Sequence, residues 1–401
     1  FTVLSGAGSG ISVSSSERLK ATNLSLYSTG TSIYVENTPN THISNVDTLN
    51  STSTFDINVV NSGNTFVSNV KSSCTQTHFE FQNSDNITLH GLYSEYSDTP
   101  TRILNVINCD YVSISDGNFQ NATDVIAVFI QNSAYVSIVG CLIRDFQQDG
   151  LYLNNCNNVT ISGCNINGYG NRSITGIVLY HSSNVQIKGC EISEFYNSGE
   201  SGIGVYVEHD TDDGFIDIYS NNFHSVNKGV YIVGVGSNKD LNYVSIKNNF
   251  YNGTRDFVQI NSDTSNSEYS DISIEGNTVT IIGSHGALFA FTTTGSLIRG
   301  QIANNTAIGG EYHTFFNGNT VILDTIIFNN YHRSGIFQSA LGEATSGTVS
   351  GCLAHLNYFH YTGTPFIGKG NGSISLTTLQ NSASGGITVT IQSNVFAGNF
   401  T

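Results

Sequence analysis

Four acidic residues in the middle of the chain have surroundings suited to glycosidase chemistry. Asp149 immediately precedes a glycine, Glu200 lies two residues before another glycine, and Glu208 and Asp210 follow the segment that this second glycine opens. Glycosidases use two carboxyl groups about 5–9.5 Å apart, one to protonate the leaving oxygen and one to attack or to activate water. These four residues are therefore the candidate catalytic acids. The alternative is that they are solvated turn residues, because acids are favoured beside turns.

Four tyrosines stand in or beside the same glycine-led segments. In each segment the residue after the glycine is expected to point inward, so strand alternation places Tyr152, Tyr180, Tyr206 and Tyr231 on outward positions of four successive repeats. A tyrosine ring offers its face to the apolar side of a sugar and its hydroxyl to the sugar's edge. The four are therefore the candidate carbohydrate-binding residues. The alternative is that they pack beneath a loop or against another subunit.

The sequence supports metal or thiol chemistry less than it supports chemistry on sugars. The acidic run from Glu208 to Asp213 contains oxygen donors of the kind that Ca²⁺ prefers, so a calcium site is an alternative use of these acids. No other cofactor is expected. The seven cysteines lack the paired spacing of zinc sites. Three of them, Cys141, Cys164 and Cys190, recur at one place in a repeat, where parallel Cβ vectors predict buried free thiols.

The repeat itself must position these side chains. A phrase of the form Val-X-Ile-X-Gly-Cys, or its variant ending in Asn, recurs at Val136–Cys141, Val159–Cys164, Val185–Cys190, Val244–Asn249 and Ile272–Asn277. Its second apolar residue returns every 22 to 31 residues, as Leu89, Ile114, Ile138, Ile161, Ile187, Ile218, Ile246, Ile274, Ile302, Ile327 and Val349. A unit of this size cannot bury its apolar face alone. The units are therefore expected to stack as coils around one continuous core.

Alternating β-branched residues predict short strands, and no helical periodicity is present. A second, glycine-led strand precedes several copies, and its glycine predicts a sharp bend with positive φ. The third residue after the aligned one forms a column that begins at Gly117 and continues with Cys and Asn to Cys352, which predicts a structural ladder. We predict an all-β solenoid of roughly a dozen coils in a single domain over residues 1–401. Residues 1–40 are expected to form a cap or entry region, 41–355 regular coils, and 356–401 a cap or oligomerisation region.

Composition excludes several functions. Charged residues make up 11% of the chain, its formal charge is −16, and its 14 basic residues are dispersed, which argues against nucleic acid as a partner. No apolar run reaches the length of a membrane helix, so no membrane insertion is expected. The chain has no Met, and its beginning at Phe1 predicts a processed or truncated product.

The repeated phrase, the glycine-led strand and the Asn column resemble the right-handed parallel β-helix superfamily over about residues 40–355. That superfamily includes pectate lyases, polygalacturonases, epimerases and viral tailspikes, so the resemblance implies the fold more strongly than the activity. Polygalacturonases carry Gly-His-Gly and Arg-Ile-Lys, for which this chain has only Ser284-His285-Gly286 and Gln186-Ile187-Lys188. Pectate lyases need an arginine base, and nothing distinguishes Arg144 or Arg255 for that role. Similarity to tailspikes implies a homotrimer.

Three functions remain open at this level. The first is an extracellular or virion-surface β-helix that recognises a cell-surface or extracellular polysaccharide, similar to a viral tailspike or host-attachment domain. The second is a polysaccharide hydrolase or lyase that uses the four acids. The third is a surface adhesin or structural scaffold. Product release from polysaccharides favours the enzyme, and glycan binding that is lost on tyrosine replacement favours recognition. Absence of any glycan binding leaves the adhesin or scaffold.

Overall fold

The computed structural model describes residues 2–4, 10–27, 30–48, 55–73, 76–94, 102–120, 126–168, 174–195, 202–209, 214–234, 240–262, 267–283, 286–293, 295–310, 312–317, 321–334, 348–350, 352–361, 389–392 and 395–398. The chain folds as a right-handed parallel β-helix of about 11 turns, as the repeat predicts, and every regular element in these ranges is a strand. Two compact units divide it: unit one, Phe1–Ser198, and unit two, Gly199–Thr401. Within the described ranges, no helix exists that could cross a membrane.

Unit one contains two parallel sheets, which we name A1 and B1. Sheet B1 has one strand per coil: Ile11–Ser14, Ile33–Glu36, Phe55–Val60, Thr77–Gln82, Arg102–Ile107, Val128–Gln131, Asp149–Asn154 and Thr175–Tyr180. Sheet A1 begins with single strands at Thr2–Leu4, Leu19–Tyr27, Thr41–Thr48, Thr65–Ser72 and Ile87–Ser94. It continues as strand pairs at Val112–Ser115 with Asn118–Gln120, Ala134–Val139 with Leu142–Arg144, Asn157–Ser162 with Asn165–Asn167, and Ser183–Lys188 with Glu191–Phe195.

The core of unit one consists of the repeated apolar residues stacked in register. Ile138 pairs with Ile161, and Ile161 pairs with Ile187, as the sequence alignment predicts. All three are at most 1% exposed. Full burial of such a side chain contributes about 1.5–3 kcal/mol, and the same contact recurs in every coil.

The bend inside each coil of sheet A1 requires a residue with positive φ. Asn occupies it in the early coils, Asp116 in a later coil, and Gly in others, among them Gly140, Gly163 and Gly189, which have φ of 60–64°. The predicted strand-leading glycines that the structure describes, Gly150, Gly176, Gly202 and Gly229, do not have positive φ, so that expectation is wrong for them. Gly150 is small for another reason, because a Cβ there would lie 2.7 Å from the carbonyl oxygen of Gly176.

A ladder of hydroxyl and thiol groups supports the turn from sheet B1 to sheet A1. The backbone N–H of Ser62 donates to Ser84 Oγ at 2.9 Å, and that of Cys109 donates to Ser133 Oγ at 3.2 Å. Burial raises the pKa of the thiols of Cys109 and Cys156 to about 11, so both stay protonated.

The free thiols predicted for the second cysteine column are confirmed, since Cys141, Cys164 and Cys190 are buried and unbridged.

Unit two contains three parallel sheets, which we name A2, B2 and C2. Sheet B2 consists of Ile203–His209, Lys228–Gly234, Val258–Ser262, Ala287–Thr293 and Tyr312–Asn317. Sheet A2 consists of strand pairs at Ile216–Tyr219 with Asn222–Val226, Val244–Lys247 with Phe250–Gly253, Ser273–Glu275 with Thr278–Ile281, Gln301–Ala303 with Thr306–Gly309, Ile326–Phe328 with Tyr331–Ser334, Cys352–His355 with Tyr358–Tyr361, and Val389–Gln392 with Val395–Gly398. Sheet C2 consists of Leu241–Asn242, Glu268–Ser270, Ser296–Ile298, Val321–Leu323 and Thr348–Ser350.

The extra sheet of unit two corrects the alignment of the last repeat. Val349 lies in sheet C2 and pairs with Ile322, whereas Ile327 pairs with Ala354. In this coil the sequence contains two short segments of alternating apolar residues, one at Val349 and one at Ala354. The repeat was aligned on Val349 because it lies nearer to Ile327 in sequence, but Ala354 is the residue that pairs with Ile327. Cys352 therefore does not continue the Asn column; the side chain of Asn357 does, by accepting from the N–H of Asn330 at 3.1 Å.

The Asn column of unit two forms a buried hydrogen-bonded ladder, as the sequence predicts. Its members are Asn221, Asn249, Asn277, Asn305, Asn330 and Asn357, each at most 2% exposed. From Asn249 onward, each amide oxygen accepts from the main chain and the side chain of the preceding member, and each amide nitrogen also donates to a main-chain carbonyl. The ladder provides hydrogen-bond partners for main-chain N–H and C=O groups at the bend, where the sheet provides none.

Candidate functional site

Aromatic rings line the outward surface of sheet B1, and we name this group the aromatic face of unit one: Phe129, Tyr152, Tyr180 and His181. The rings of Phe129 and Tyr152 stack at 5.6 Å between centroids, and those of Tyr152 and Tyr180 at 6.2 Å. His181 stacks on Tyr180 at 3.9 Å. Tyr152, Tyr180 and His181 are partly exposed, so a flat ligand can contact them. The face therefore offers stacked rings along several coils.

Strand alternation brings these rings together, because Leu151 and Leu153 point into the core on either side of Tyr152. The tyrosines do not form a straight file, however. Tyr152 pairs with Val178, and Tyr180 pairs with Asn154, so Tyr180 lies two residues further along its strand. The outward orientation predicted for the tyrosines agrees with this register, and the vertical alignment of Tyr152 with Tyr180 does not.

Polar groups continue the aromatic face of unit one on its earlier coils. The guanidinium of Arg102 lies 3.9 Å from the ring centroid of Phe129 and donates from Nη1 to Asn105 Oδ1 at 3.0 Å. Asn105 in turn donates to Glu80 Oε1 at 3.3 Å. A cation held over a ring is stabilised when water is excluded. This network holds Phe129 in place at one end of the stacked rings.

Asp149 begins the strand that carries Tyr152, and its carboxyl is perturbed. Burial raises its pKa to about 6, although a hydrogen bond with the side chain of Thr175 acts in the opposite direction. A carboxyl with this pKa is partly protonated near neutral pH, which a general acid requires. Of the four predicted acids, Asp149 is thus the one whose environment in the described chain suits proton transfer.

We expect Asp149→Asn to stabilise unit one at pH 8 by about 1–2 kcal/mol, a value reduced for the partial exposure of the carboxyl. The folded pKa lies above the unfolded value, so the contribution of Asp149 to stability is complete below about pH 4 and is lost as pH rises through about 6. Urea unfolding at pH 4 and pH 8 measures it. Asp145→Asn, at a partly exposed acid of the same unit whose positive φ Asn tolerates, is the control.

A second group of side chains lies on the outward surface of sheet B2, and we name it the polar-aromatic face of unit two: Tyr206, Glu208, Tyr231 and Asn261. Tyr206 pairs with Tyr231 in register, as predicted, with ring centroids 5.8 Å apart. Tyr206 Oη donates to Glu208 Oε2 at 2.7 Å, and Asn261 Nδ2 donates to Tyr231 Oη at 3.1 Å. The ammonium of Lys228 lies 4.2 Å from the ring centroid of Tyr231. Hydrogen-bonding groups thus fix both rings.

A cavity of about 210 Å³ lies further along sheet B2, and sequence reasoning missed it. Tyr231, Gln259, Ala290 and Phe315 occupy one register on successive strands, and the last three line the cavity. Tyr312 completes an aromatic wall with its ring centroid 4.6 Å from that of Phe315. The volume is below the range of about 300–1,000 Å³ for drug-sized ligands, so it suits one ring or one substituent.

A sequence signal for this cavity existed. Gly286 leads the strand Ala287–Thr293 in the same way that other glycines lead the strands of the predicted tyrosines. A Cβ at Gly286 would lie 2.9 Å from the main chain of Arg255, so only glycine fits this approach. Extending the glycine-led pattern to this coil would have identified Ala290 as an outward residue of the same surface.

The remaining predicted residues are only partly placed. Glu200 and Asp210 lie outside the described residues, so the pairing of catalytic acids stays a prediction. Asp212 and Asp213 also lie outside, and the calcium site stays a prediction with them. Among the described residues, no group of three or more His, Cys, Asp or Glu side chains is arranged to hold a metal ion. The carboxylate of Glu208 serves Tyr206 as a hydrogen-bond acceptor.

The match to one family model agrees with the fold. Residues 102–254 match the family described as "Right handed beta helix region". No match was found among curated proteins. Similar solved structures include a double mutant of the tailspike protein of E. coli bacteriophage HK620, with 12% identity and a TM-score of 0.49 over 98% of this chain and 70% of that chain. The same tailspike protein in complex with a pentasaccharide gives 12% identity and a TM-score of 0.46 over 94% of this chain and 67% of that chain.

Proposed function

We propose that this chain is an extracellular or virion-surface β-helix that recognises a polysaccharide, in the manner of a tailspike or host-attachment domain. The observation that carries the proposal is the aromatic face of unit one. Three partly exposed rings stack along the outward surface of a rigid parallel sheet, beside polar groups that are fixed by hydrogen bonds. Such a surface fits the alternating apolar faces and hydroxyl edges of a sugar chain.

The surface chemistry of the chain supports a sugar over other ligands. With 11% charged residues, most outward positions are neutral and polar. The polar-aromatic face of unit two repeats the combination of tyrosine rings with amide and carboxylate groups. A nucleic acid would instead require clustered basic residues. The resemblance to tailspikes adds a homotrimer to the proposal, which light scattering of the purified chain would test.

Glycan binding is expected to weaken about 10-fold to 100-fold in Tyr152→Ala/Tyr180→Ala and in Tyr206→Ala/Tyr231→Ala, because each variant removes two rings from one face. Binding to an array of bacterial capsular, O-antigen and cell-wall polysaccharides measures this, followed by calorimetric titration. Tyr219→Ala is the control, since Tyr219 is a partly exposed tyrosine on an outward position of sheet A2, away from both faces. Equal loss in the control variant would show that the faces have no special role.

A second function, polysaccharide hydrolysis or elimination, is favoured by one observation, the raised pKa of Asp149. If Asp149 acts as the general acid, Asp149→Asn abolishes release of reducing ends or unsaturated products from the same polysaccharides. Activity of the native chain then falls as pH rises through about 6, because the acid form is lost. Glycan binding that survives Asp149→Asn, with no product released by the native chain, favours recognition alone. If no polysaccharide binds, an adhesin or scaffold role remains.

A further inference from the structure

The turn that leads into sheet A1 carries an unusual pair of residues. Its last position has positive φ in six successive coils, with values of 48–57°. The residues at this position are Asn64, Asn86, Tyr111, Tyr135, Asn158 and Asn184. Asn tolerates this conformation because its short polar side chain can bond locally, whereas a bulky residue is disfavoured there. Two tyrosines thus replace the residue that the fold prefers at this turn.

Burial does not compensate for this backbone strain. Tyr111 is 56% exposed and Tyr135 is 53% exposed, so neither ring contributes to the core. The two rings stack in parallel, with an interplanar angle of 3° and a centroid distance of 4.8 Å. Neither hydroxyl is hydrogen-bonded to the described part of the chain. Strained, exposed and preorganised side chains are typical of binding sites.

The surroundings of the pair are polar. Asn86 and Asn158, one coil before and one coil after, are exposed at the same position of the turn. Asp110 beside Tyr111 accepts from the N–H of Ala134 at 2.8 Å, which fixes the turn. A stable protein interface buries about 800 Å² on each partner, and two rings between asparagines supply only a small part of that area. A pyranose ring needs only a flat apolar surface with hydrogen-bonding groups at its rim.

We propose that Tyr111 and Tyr135 form a second carbohydrate platform in unit one, outside the aromatic face of sheet B1. The two rings lie face to face, so each keeps one outer face, that of Tyr111 toward the coil of Asn86 and that of Tyr135 toward the coil of Asn158. A pyranose ring stacks its apolar side on such an outer face, and the amide of the neighbouring Asn hydrogen-bonds its hydroxyl groups. This inference rests on the proposed function, because it assigns a further contact for the same class of ligand.

The test uses the full chain with Tyr111→Asn and Tyr135→Asn combined. Asn is the native residue at four other coils of this turn, so the variant is expected to fold and to melt no lower than the native chain. Calorimetric titration with oligosaccharides released from bacterial O-antigen and capsular polysaccharides is expected to show at least 5-fold weaker binding, on the order of the loss of one aromatic contact. The matched variant Tyr111→Phe/Tyr135→Phe keeps the stacked rings and is expected to retain most of the affinity.

Protection from nitration gives a readout that does not depend on variants. Saturating oligosaccharide is expected to protect Tyr111 and Tyr135 from tetranitromethane, as measured by peptide mass spectrometry. Equal binding by the native chain and the double Asn variant, with loss in Tyr152→Ala/Tyr180→Ala, would overturn the platform and leave the proposed function standing. If no oligosaccharide binds the native chain, both fall. A protein captured by the native chain and lost in the Asn variant, with glycan binding unchanged, would also overturn the assignment to carbohydrate.

Discussion

Asn305→Ala is expected to lower the free energy of unfolding of unit two by about 2–6 kcal/mol. The amide oxygen of Asn305 accepts from the main-chain N–H and the side-chain amide of Asn277, each at 3.0 Å. Its amide nitrogen donates to the carbonyl oxygen of Ile274 at 2.9 Å. Alanine therefore strands the N–H of Asn277 and the carbonyl of Ile274, and each buried group without a partner costs about 1–3 kcal/mol.

Urea unfolding followed by circular dichroism measures this loss as a shift of the midpoint. Asn304→Gly is the matched control, because Asn304 immediately precedes Asn305, is exposed, and has a φ of 56° that glycine adopts freely. The control is expected to change the free energy of unfolding by less than about 1 kcal/mol, as is usual for surface substitutions. Similar losses in the two variants would mean that the buried ladder has no special role in stability.

Acidification from pH 7 to pH 4 is expected to destabilise unit two through two buried histidines. His313 and His332 are 0% exposed, with ring centroids 5.8 Å apart. Burial lowers the pKa of His332 to about 4, although Nε2 donates to the carbonyl oxygen of Gly309 at 2.7 Å. Burial, together with the charge of His332, lowers the pKa of His313 well below its ordinary value.

The direction follows from proton binding in the two states. The unfolded chain has histidine pKa values near 6.5, so between about pH 6.5 and pH 4 it binds protons that the folded chain excludes. Stability therefore falls as pH decreases through this window, by about 3 kcal/mol for His332 alone. His313 acts in the same direction. Asp149 in unit one has the opposite sign, since its pKa is raised.

Urea midpoints measured at intervals from pH 4 to pH 7.5 test this expectation. In His332→Asn the pH dependence is expected to be reduced by about half, because one of the two excluded protonations disappears. His224→Gln, at a partly exposed histidine of the same unit, is the matched control. A slope that is the same in native chain and His332→Asn would be the contrary result.

The strands and their stacking could be predicted because they depend on local patterns. Alternation around Ile161 marks a half-buried strand, and the recurrence of the same pattern at Ile138 and Ile187 gives the register. The buried free thiol of Cys164 and the ladder around Asn277 follow from that register alone. A coil repeats the same backbone geometry at each turn, so one correctly aligned copy predicts the others.

The candidate sites could be predicted only in part. Outward orientation of Tyr206 and Tyr231 follows from alternation, and they do pair. The displacement of Tyr180 from Tyr152 follows from a residue-level register that alternation does not specify. The stacked pair of Tyr111 and Tyr135 was missed because both lie in the turn before the strand, where strand alternation does not specify the direction of a side chain.

The sequence by itself determined the all-β fold, the coil repeat and the residues that face the core, because main-chain hydrogen bonding and apolar burial repeat with a short local period. Only the tertiary structure decided which outward side chains are neighbours, such as Gln259 and Phe315 at the cavity of unit two. Those contacts join residues one or more coils apart. Their positions depend on connecting segments of unequal length, and no local pattern records how far each segment shifts the next strand.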